Sequence, residues 1–504
     1  MKHFIKNLYI ILILVFTACS DLTEDPVSVL APEGFFTGPD DVEAALFGVY
    51  GRMTSDAAWG GELTQSLILM SDMVSVGNTG AASQNFELDQ FNLAPDHYYS
   101  RVNWARAYDI INAANTAIIG ARSINVDENL KLRLEAEARA LRAFNYYTFT
   151  RLYGAMPYLE EPATSIEESL SLERMSESEL YDKIIEDLEF AFVENRLPNV
   201  NDGGARTRVT RGTVATILAS VHLTRENWQE AYNKAKWVMD NKGTFGYDLV
   251  TDYQDLFDAT KQDGIAEHIL AVDFLGGYRA ADNDDTMSPL TGVGGVSGVS
   301  GGWSIVVPTM KVYDDWDNKD YRKGVALDTA VVNASGDIIS YQDFPRAKRP
   351  HIAKYNRFLG NAGGSGRRSD YNYCLFRYAE VVLIAAEALN ELQGPNAENL
   401  SYVNLVRARA RNNPAGASNF PTDVSLGLTQ DQLRDTIMND RRLELSFEYK
   451  RWFDIKRKKL GDAAFKGPNS LEPQPLFDSS KHYLMPIPQT EIDVNPNISQ
   501  NPFY

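Results

Sequence analysis

The chain has 504 residues, 44% of them apolar, a mean hydropathy of −0.31 and a formal net charge of −19. That length and apolar share imply a large folded core, and the charge excludes nucleic acid or an acidic polymer as the general partner. The only cysteines are Cys19 and Cys374, so a disulfide framework of the kind that holds small secreted domains is excluded.

In chain order, Lys2 and Lys6 precede an unbroken apolar run at 8–16, which is followed by Thr17, Ala18 and Cys19. Nine apolar residues fall far short of the roughly 20 needed to span a bilayer but fit the h-region of a signal peptide. Small residues and then a cysteine resemble a bacterial lipobox, with Phe16 where Leu is usual. Residues 1–18 therefore read as a lipoprotein signal, and Cys19 as the lipidated N-terminus that leaves Cys374 without a partner. Without residues 1–18 the chain carries 47 basic against 68 acidic side chains, so attachment to a membrane falls to the lipid. Residues 19–40, with prolines at 26, 32 and 39, read as the lipidated N-terminus and a tether.

Asp40 is placed to cap a first helix bearing Val42, Ala45, Leu46, Val49 and Tyr50 at helical spacing. Residues 55–97 read mostly as loop after 67–70. A helix through Trp104, Tyr108, Ile111 and Ile118 follows, then a long amphipathic one over 128–153, stopped by Gly154 and Pro157. Leu180, Ile184, Leu188 and Phe192 repeat behind Ser178 as cap. Residues 210–241 form two helices around the turn Arg225-Glu226-Asn227. Leu218-Ala219 and Ala231 partly match a tetratricopeptide hairpin. From about 243 to 370 the helical period fades; residues 292–302 hold six glycines next to Trp303, the shape of a functional loop. Helices return at 371–392, 396–411 and 428–460, and the last 25 residues are extended.

Most candidate chemistry fails on spacing. The six histidines never pair as metal ligands, and the 292–302 run lacks the Lys-Ser/Thr of a phosphate loop. Asp315–Asp320 breaks the calcium-loop pattern at its fifth and sixth positions; Asp282, Asn283, Asp284 and Asp285 read as a solvated loop, with calcium held in another geometry as the alternative. Glu444, Glu448 and Asp454 beside Arg441 and Arg451 read as helix-face ion pairs at i,i+3, because arginine neighbours oppose the raised pKa of a catalytic acid. Loop aromatics remain: Trp59, Tyr278, Trp303 and Trp316 could stack on the C–H faces of a sugar, while Trp104, Trp228, Trp237 and Trp452 belong to helices and read as core. No catalytic set, cofactor or metal site assembles.

Four ordered stretches carry a family resemblance: EARALRAFNYY at 137–147 with LYGAMP at 152–157; RYAEVVLIAAEALN at 377–390 with VRARA at 406–410; RRLELSFE at 441–448 with KRWFDIKR at 450–457; and YLMPIP at 483–488 with Asn495-Pro496-Asn497 and Asn501-Pro502. Together they resemble the SusD/RagB family of outer-membrane nutrient-binding lipoproteins. The resemblance implies a mostly α, SusD-like fold: a single domain over 41–504, with four tetratricopeptide-like helical hairpins as scaffold (about 97–242 and 371–460) and a loop-rich ligand region (about 243–370) packed against it. It also implies a non-catalytic lipoprotein that binds an oligosaccharide or other nutrient and delivers it to a TonB-dependent, SusC-like outer-membrane transporter. Ser20–Asp25 resembles the signal that sends such lipoproteins to the cell exterior. The matching motifs belong to the scaffold and assign no ligand residue. Two other readings stay open: a surface glycoside hydrolase using Asp or Glu from 243–370, and a helical-repeat lipoprotein that holds another protein.

Overall fold

The computed structural model describes residues 35–162, 165–277, 284–299, 301–363, 366–414, 416 and 418–504. The signal segment, Cys19 and the tether as far as residue 34 lie outside the described residues, as does Tyr278. The fold is mostly helical, with short two-stranded sheets.

The first helix is Pro39–Met53, so residues 39 and 40 belong to the fold and not to the tether. Asp40 is not its cap: the Asp41 carboxylate accepts the Thr37 and Gly38 N–H groups, and Pro39 opens the helix at the position where a missing N–H costs nothing. Glu128–Tyr153 starts on Asp127, whose side chain accepts the Asn129 N–H, and stops at Gly154, whose φ of +71° suits glycine. From Leu134 on, this helix is buried on nearly all sides. Glu177–Phe192 is capped by Ser176, not Ser178, in a reciprocal pair with Glu179.

Helix packs on helix in a continuous array. Pro39–Met53 lies on Tyr98–Ser123, which lies on Glu128–Tyr153, which lies on Glu177–Phe192. Arg211–Thr224 contacts Glu177–Phe192 and pairs with Trp228–Asp240. Tyr378–Gln393 packs on Trp228–Asp240 and carries Ala397–Ala410 and Gln430–Glu444.

Three expectations need correction. Residues 373–377 form a strand, antiparallel to 268–272, and the helix begins only at Tyr378. The stretch 428–460 is two helices, Gln430–Glu444 and Arg451–Arg457, broken where Phe447 and Tyr449 adopt left-handed φ values of 63° and 65°. The loop expected after 67–70 contains the helix Ser83–Asp89, whose buried Asn85 accepts hydrogen bonds from Gln65 and Tyr99.

A buried ionic network joins the loop-rich region to the helical array. Glu444 accepts from Arg377 at 2.7 Å, from Arg322 at 3.2 Å and from Arg409. Glu448 binds Arg377 and Lys354, while Glu267 binds Arg377 and Arg409. Asp454 takes Arg441 and Arg457, and Arg451 reaches Asp72 at 2.6 Å. The acids are therefore structural, and of these pairs Asp454–Arg457 alone is an i,i+3 pair along one helix, the other partners being tertiary. The break at 445–450 is what turns Glu448 and Arg451 towards these partners.

Candidate functional site

The strand pair Val74–Val76/Val306–Pro308 runs antiparallel, with Val76 opposite Val306. It ties the segment after the first helix to the irregular middle of the chain. Two further stitches hold that seam: the Thr286 N–H and hydroxyl both donate to Gly60 O, and the Gly77 N–H donates to Ile305 O. Trp303 emerges at this junction. Its N–H donates to Pro289 O at 2.6 Å, and its carbonyl accepts from Asn78 Nδ2 at 3.0 Å. The backbone is thus fixed on both sides while the residue is only partly buried.

The Arg367 guanidinium lies 5.7 Å from the Trp303 ring centre. The same guanidinium binds Asp56 at 3.1 Å and Asp284 at 2.9 Å, and Asp284 also takes Arg368 at 2.6 Å. Glu62, within reach of the Arg367 charge, accepts the Tyr98 hydroxyl at 2.7 Å. Burial raises the Glu62 pKa, partly offset by Tyr98 and Arg367, and burial and that hydrogen bond push Tyr98 up to about 12. The result is an aromatic face rimmed by alternating carboxylates and cations that hold one another in place. Such a face can stack on the apolar side of a sugar ring, and its rim can exchange hydrogen bonds with hydroxyls.

Of the residues expected at a ligand site, Trp303 is the one the structure presents. Trp59 is 6% exposed, stacked on Phe144 and edge-on to Tyr449, so its ring belongs to the core. Trp316 is 2% exposed and meets Lys323 through its carbonyl, which removes it as a platform as well. Tyr278 lies outside the described residues. Asp285 is not a solvated loop acid: it binds the Ser369 N–H and hydroxyl, and burial pushes its pKa up to about 6. Asp282 and Asn283 lie outside the described residues. The glycine run is tightly packed on itself, since a Cβ on Gly302 would lie 2.3 Å from the Gly292 carbonyl carbon. Among the described residues, no three His, Cys, Asp or Glu side chains converge as a metal site.

Sequence reasoning missed Arg367, Asp56, Asp284, Asn78, Glu62 and Tyr98. The available signal was the Arg367-Arg368 pair, two adjacent cations inside a glycine- and serine-rich stretch of a loop region.

Larger hollows lie elsewhere. A cleft of about 770 Å³ runs between the first helix (Phe47, Tyr50), the 195–208 segment and the strand at 270–272, and joins one of about 660 Å³ through Ala205, Thr207, Ala271 and Asp273. Two of its cations are paired: Arg208 binds Glu137 at 2.6 Å and lies over the exposed Phe47 ring, and Arg133 binds Glu43 at 2.7 Å. Volume does not single it out, because stacking on a sugar needs an accessible ring face more than an enclosed space.

An array of packed helices carrying a loop-borne aromatic face is the build of a helical binding-protein scaffold. Comparison with known proteins makes the class specific. Residues 345–504 match the SusD family, and residues 43–223 match the family described as "Starch-binding associating with outer membrane". SusD-like protein P2 of Formosa agariphila is 42% identical, over 99% of both chains. The chain belongs to the SusD family. A SusD homolog from Bacteroides thetaiotaomicron shares the fold with a TM-score of 0.80 at 22% identity, over 94% of this chain and 98% of that one. Surface glycan-binding protein A from the same organism, solved in complex with laminarihexaose, gives 0.75 at 21%, over 92% and 99%.

Proposed function

We propose that the protein is a cell-surface glycan-binding lipoprotein that holds an oligosaccharide on the Trp303–Arg367 face and performs no covalent chemistry. The observation that carries this reading is a partly buried tryptophan with a fixed backbone, beside the Arg367–Asp56–Asp284 cluster. The laminarihexaose complex of a protein with the same fold supports the ligand class. We read residues 39–504 as one domain, since a single apolar core runs from Val42 to Ile498. Lipid on Cys19 would anchor it at the outer membrane, facing outward. A TonB-dependent, SusC-like transporter would take the bound glycan from it. The outer-membrane description of the matching family supports that setting.

Calorimetry of the purified protein with laminarihexaose and a panel of other neutral oligosaccharides tests the reading. At least one should bind, and Trp303→Ala should weaken binding by tenfold or more, about 1.4 kcal/mol, the scale of one lost aromatic contact. Chromatography after long incubation should return the sugar intact. Unchanged affinity in Trp303→Ala would remove the site from this face, and released shorter sugars would favour a hydrolase.

A further inference from the structure

A third hollow, about 440 Å³, lies within the helical array, away from the Trp303 face. The start of Glu177–Phe192, the end of Arg211–Thr224 and the Arg451–Arg457 helix enclose it. Five cations line it, and three of them, Arg151, Lys456 and Lys459, are in no ion pair among the described residues. Lys456 Nζ donates to Arg151 O at 2.5 Å, and the acid acting on it, Glu177, does so from beyond ion-pair distance. The Arg151 guanidinium is held between the Tyr147 and Phe453 rings at 3.7 and 3.6 Å, with its Nε on Tyr147 O. Among the described residues, neither Arg151, Lys456 nor Lys459 has a carboxylate within 4 Å. Arg457 and Arg225, which also line the hollow, are matched by Glu387 with Asp454 and by Asp182. Glu177 and Glu226 are the acids on the wall.

A second, independent feature points to a ligand. The Tyr181 side chain is 5% exposed, lines this hollow, and its hydroxyl has no hydrogen-bond partner. A buried hydroxyl left unpaired costs on the order of 1–3 kcal/mol, so an acceptor bound in the hollow would recover that cost. The N-terminal end of a 16-residue helix, with Glu177 and Ser178 on the wall, adds the positive end of its dipole. In a chain of net charge −19, this concentration of unmatched positive charge is local and specific.

We infer that the hollow at Arg151, Tyr181 and Lys456 is a binding site for an oxyanion, a phosphate ion or the carboxylate of an acidic sugar. The ligand oxygens accept from the Lys456 ammonium and the Tyr181 hydroxyl, with Arg151 and Arg225 supplying charge from the sides. Burial brings Lys456 down to about 8, and a bound anion holds it protonated, so binding weakens as pH rises from 7 to 9.

The test is calorimetry on the purified protein with inorganic phosphate, glucuronate and glucose, at ionic strength held constant with potassium chloride. Phosphate or glucuronate should bind and glucose should not. Phosphate binding identifies a free ion as sufficient; glucuronate binding without phosphate binding identifies a sugar-borne carboxylate. Lys456→Met and Tyr181→Phe should each weaken binding by roughly tenfold, the size expected for one charge-assisted or buried hydrogen bond. Glu177→Gln, which removes a competing carboxylate, should tighten it. Trp303→Ala should leave it unchanged, separating this site from the glycan face. Absence of binding by both anions, or wild-type affinity in Tyr181→Phe, which preserves the ring and the packing, overturns the inference.

Discussion

At the scale of single residues, Asp89 is the most informative titrating group outside the ionic network. Its carboxylate accepts the Val76 N–H at 3.0 Å, while Arg349 holds Ser75 and the Val76 carbonyl. Burial pushes Asp89 up to about 7 with a contribution from Glu472, and Glu472 itself is raised by burial to about 7. Two acids share one arginine, so full ionisation leaves an unmatched negative charge under the strand that leads to Asn78 and Trp303. Because the folded pKa lies above the unfolded one, the folded state binds the proton more tightly. The resulting stability is present below about pH 4 and is lost as pH rises through 7, a change of roughly 2–4 kcal/mol. Asp89→Asn should therefore match the wild type near pH 4 and melt higher at pH 8, where the wild type must bury a charge. A melting-temperature difference that stays flat from pH 4 to 8 would refute this assignment. The same residue-level view explains why, of the three proposed tryptophans, Trp303 is the one left as a platform. A tryptophan in a loop sequence has no marker for the direction of its ring, and the rings of Trp59 and Trp316 are more favourably placed in the core.

At the scale of elements, what was legible and what was not divides by the range of the interaction. Helices fixed by local signals were readable: Glu128–Tyr153 ends at a glycine with positive φ, and Arg211–Thr224 and Trp228–Asp240 flank a polar turn. Residues 373–377 carry an apolar pattern that runs on into the following helix, and only their pairing with 268–272, a hundred residues away, makes them a strand. The break at 445–450 was hidden for the same reason, since left-handed Phe447 and Tyr449 are strained locally and are held by contacts distant in sequence. Phe447 O accepts from the Tyr355 hydroxyl and the Tyr449 ring packs on Trp59, Tyr355 and Tyr373, while Glu444 and Glu448 beside them enter the ionic network. Burial raises Glu444, but Arg409, Arg377 and Arg322 outweigh it and hold the carboxyl down at about 2. A depressed pKa means stability that is present above the ordinary glutamate range and lost as pH falls through 2. Glu444→Gln leaves three buried guanidinium groups underbalanced and should cost roughly 3–5 kcal/mol in urea unfolding at neutral pH. The deficit should shrink at pH 2, where the wild-type carboxyl also protonates. A loss below 1 kcal/mol at neutral pH would mean that packing, not ion pairing, joins the loop-rich region to the helices.

At the scale of the whole molecule, anchor and fold make separable contributions. No helix among the described residues is long and apolar enough to cross a membrane, and the negative surface repels anionic headgroups. The proposed attachment therefore rests on Cys19, and the stretch from Cys19 to Phe35 can span at most about 55 Å when fully extended. At its far end Phe36 packs against Gly120 in the Tyr98–Ser123 helix, so the tether joins the fold beside that helix and not at the Trp303 face. The contacts described at the glycan face come from Asp56, Glu62, Asn78, Tyr98, Asp284 and Arg367, so losing the anchor should leave binding intact. Cys19→Ala should move the protein from the membrane to the soluble fraction while its melting temperature and its affinity for oligosaccharide stay at the wild-type values. Retention in the membrane fraction would show that something other than lipid on Cys19 holds the protein there. Release with lost affinity would show instead that the tether takes part in the binding face.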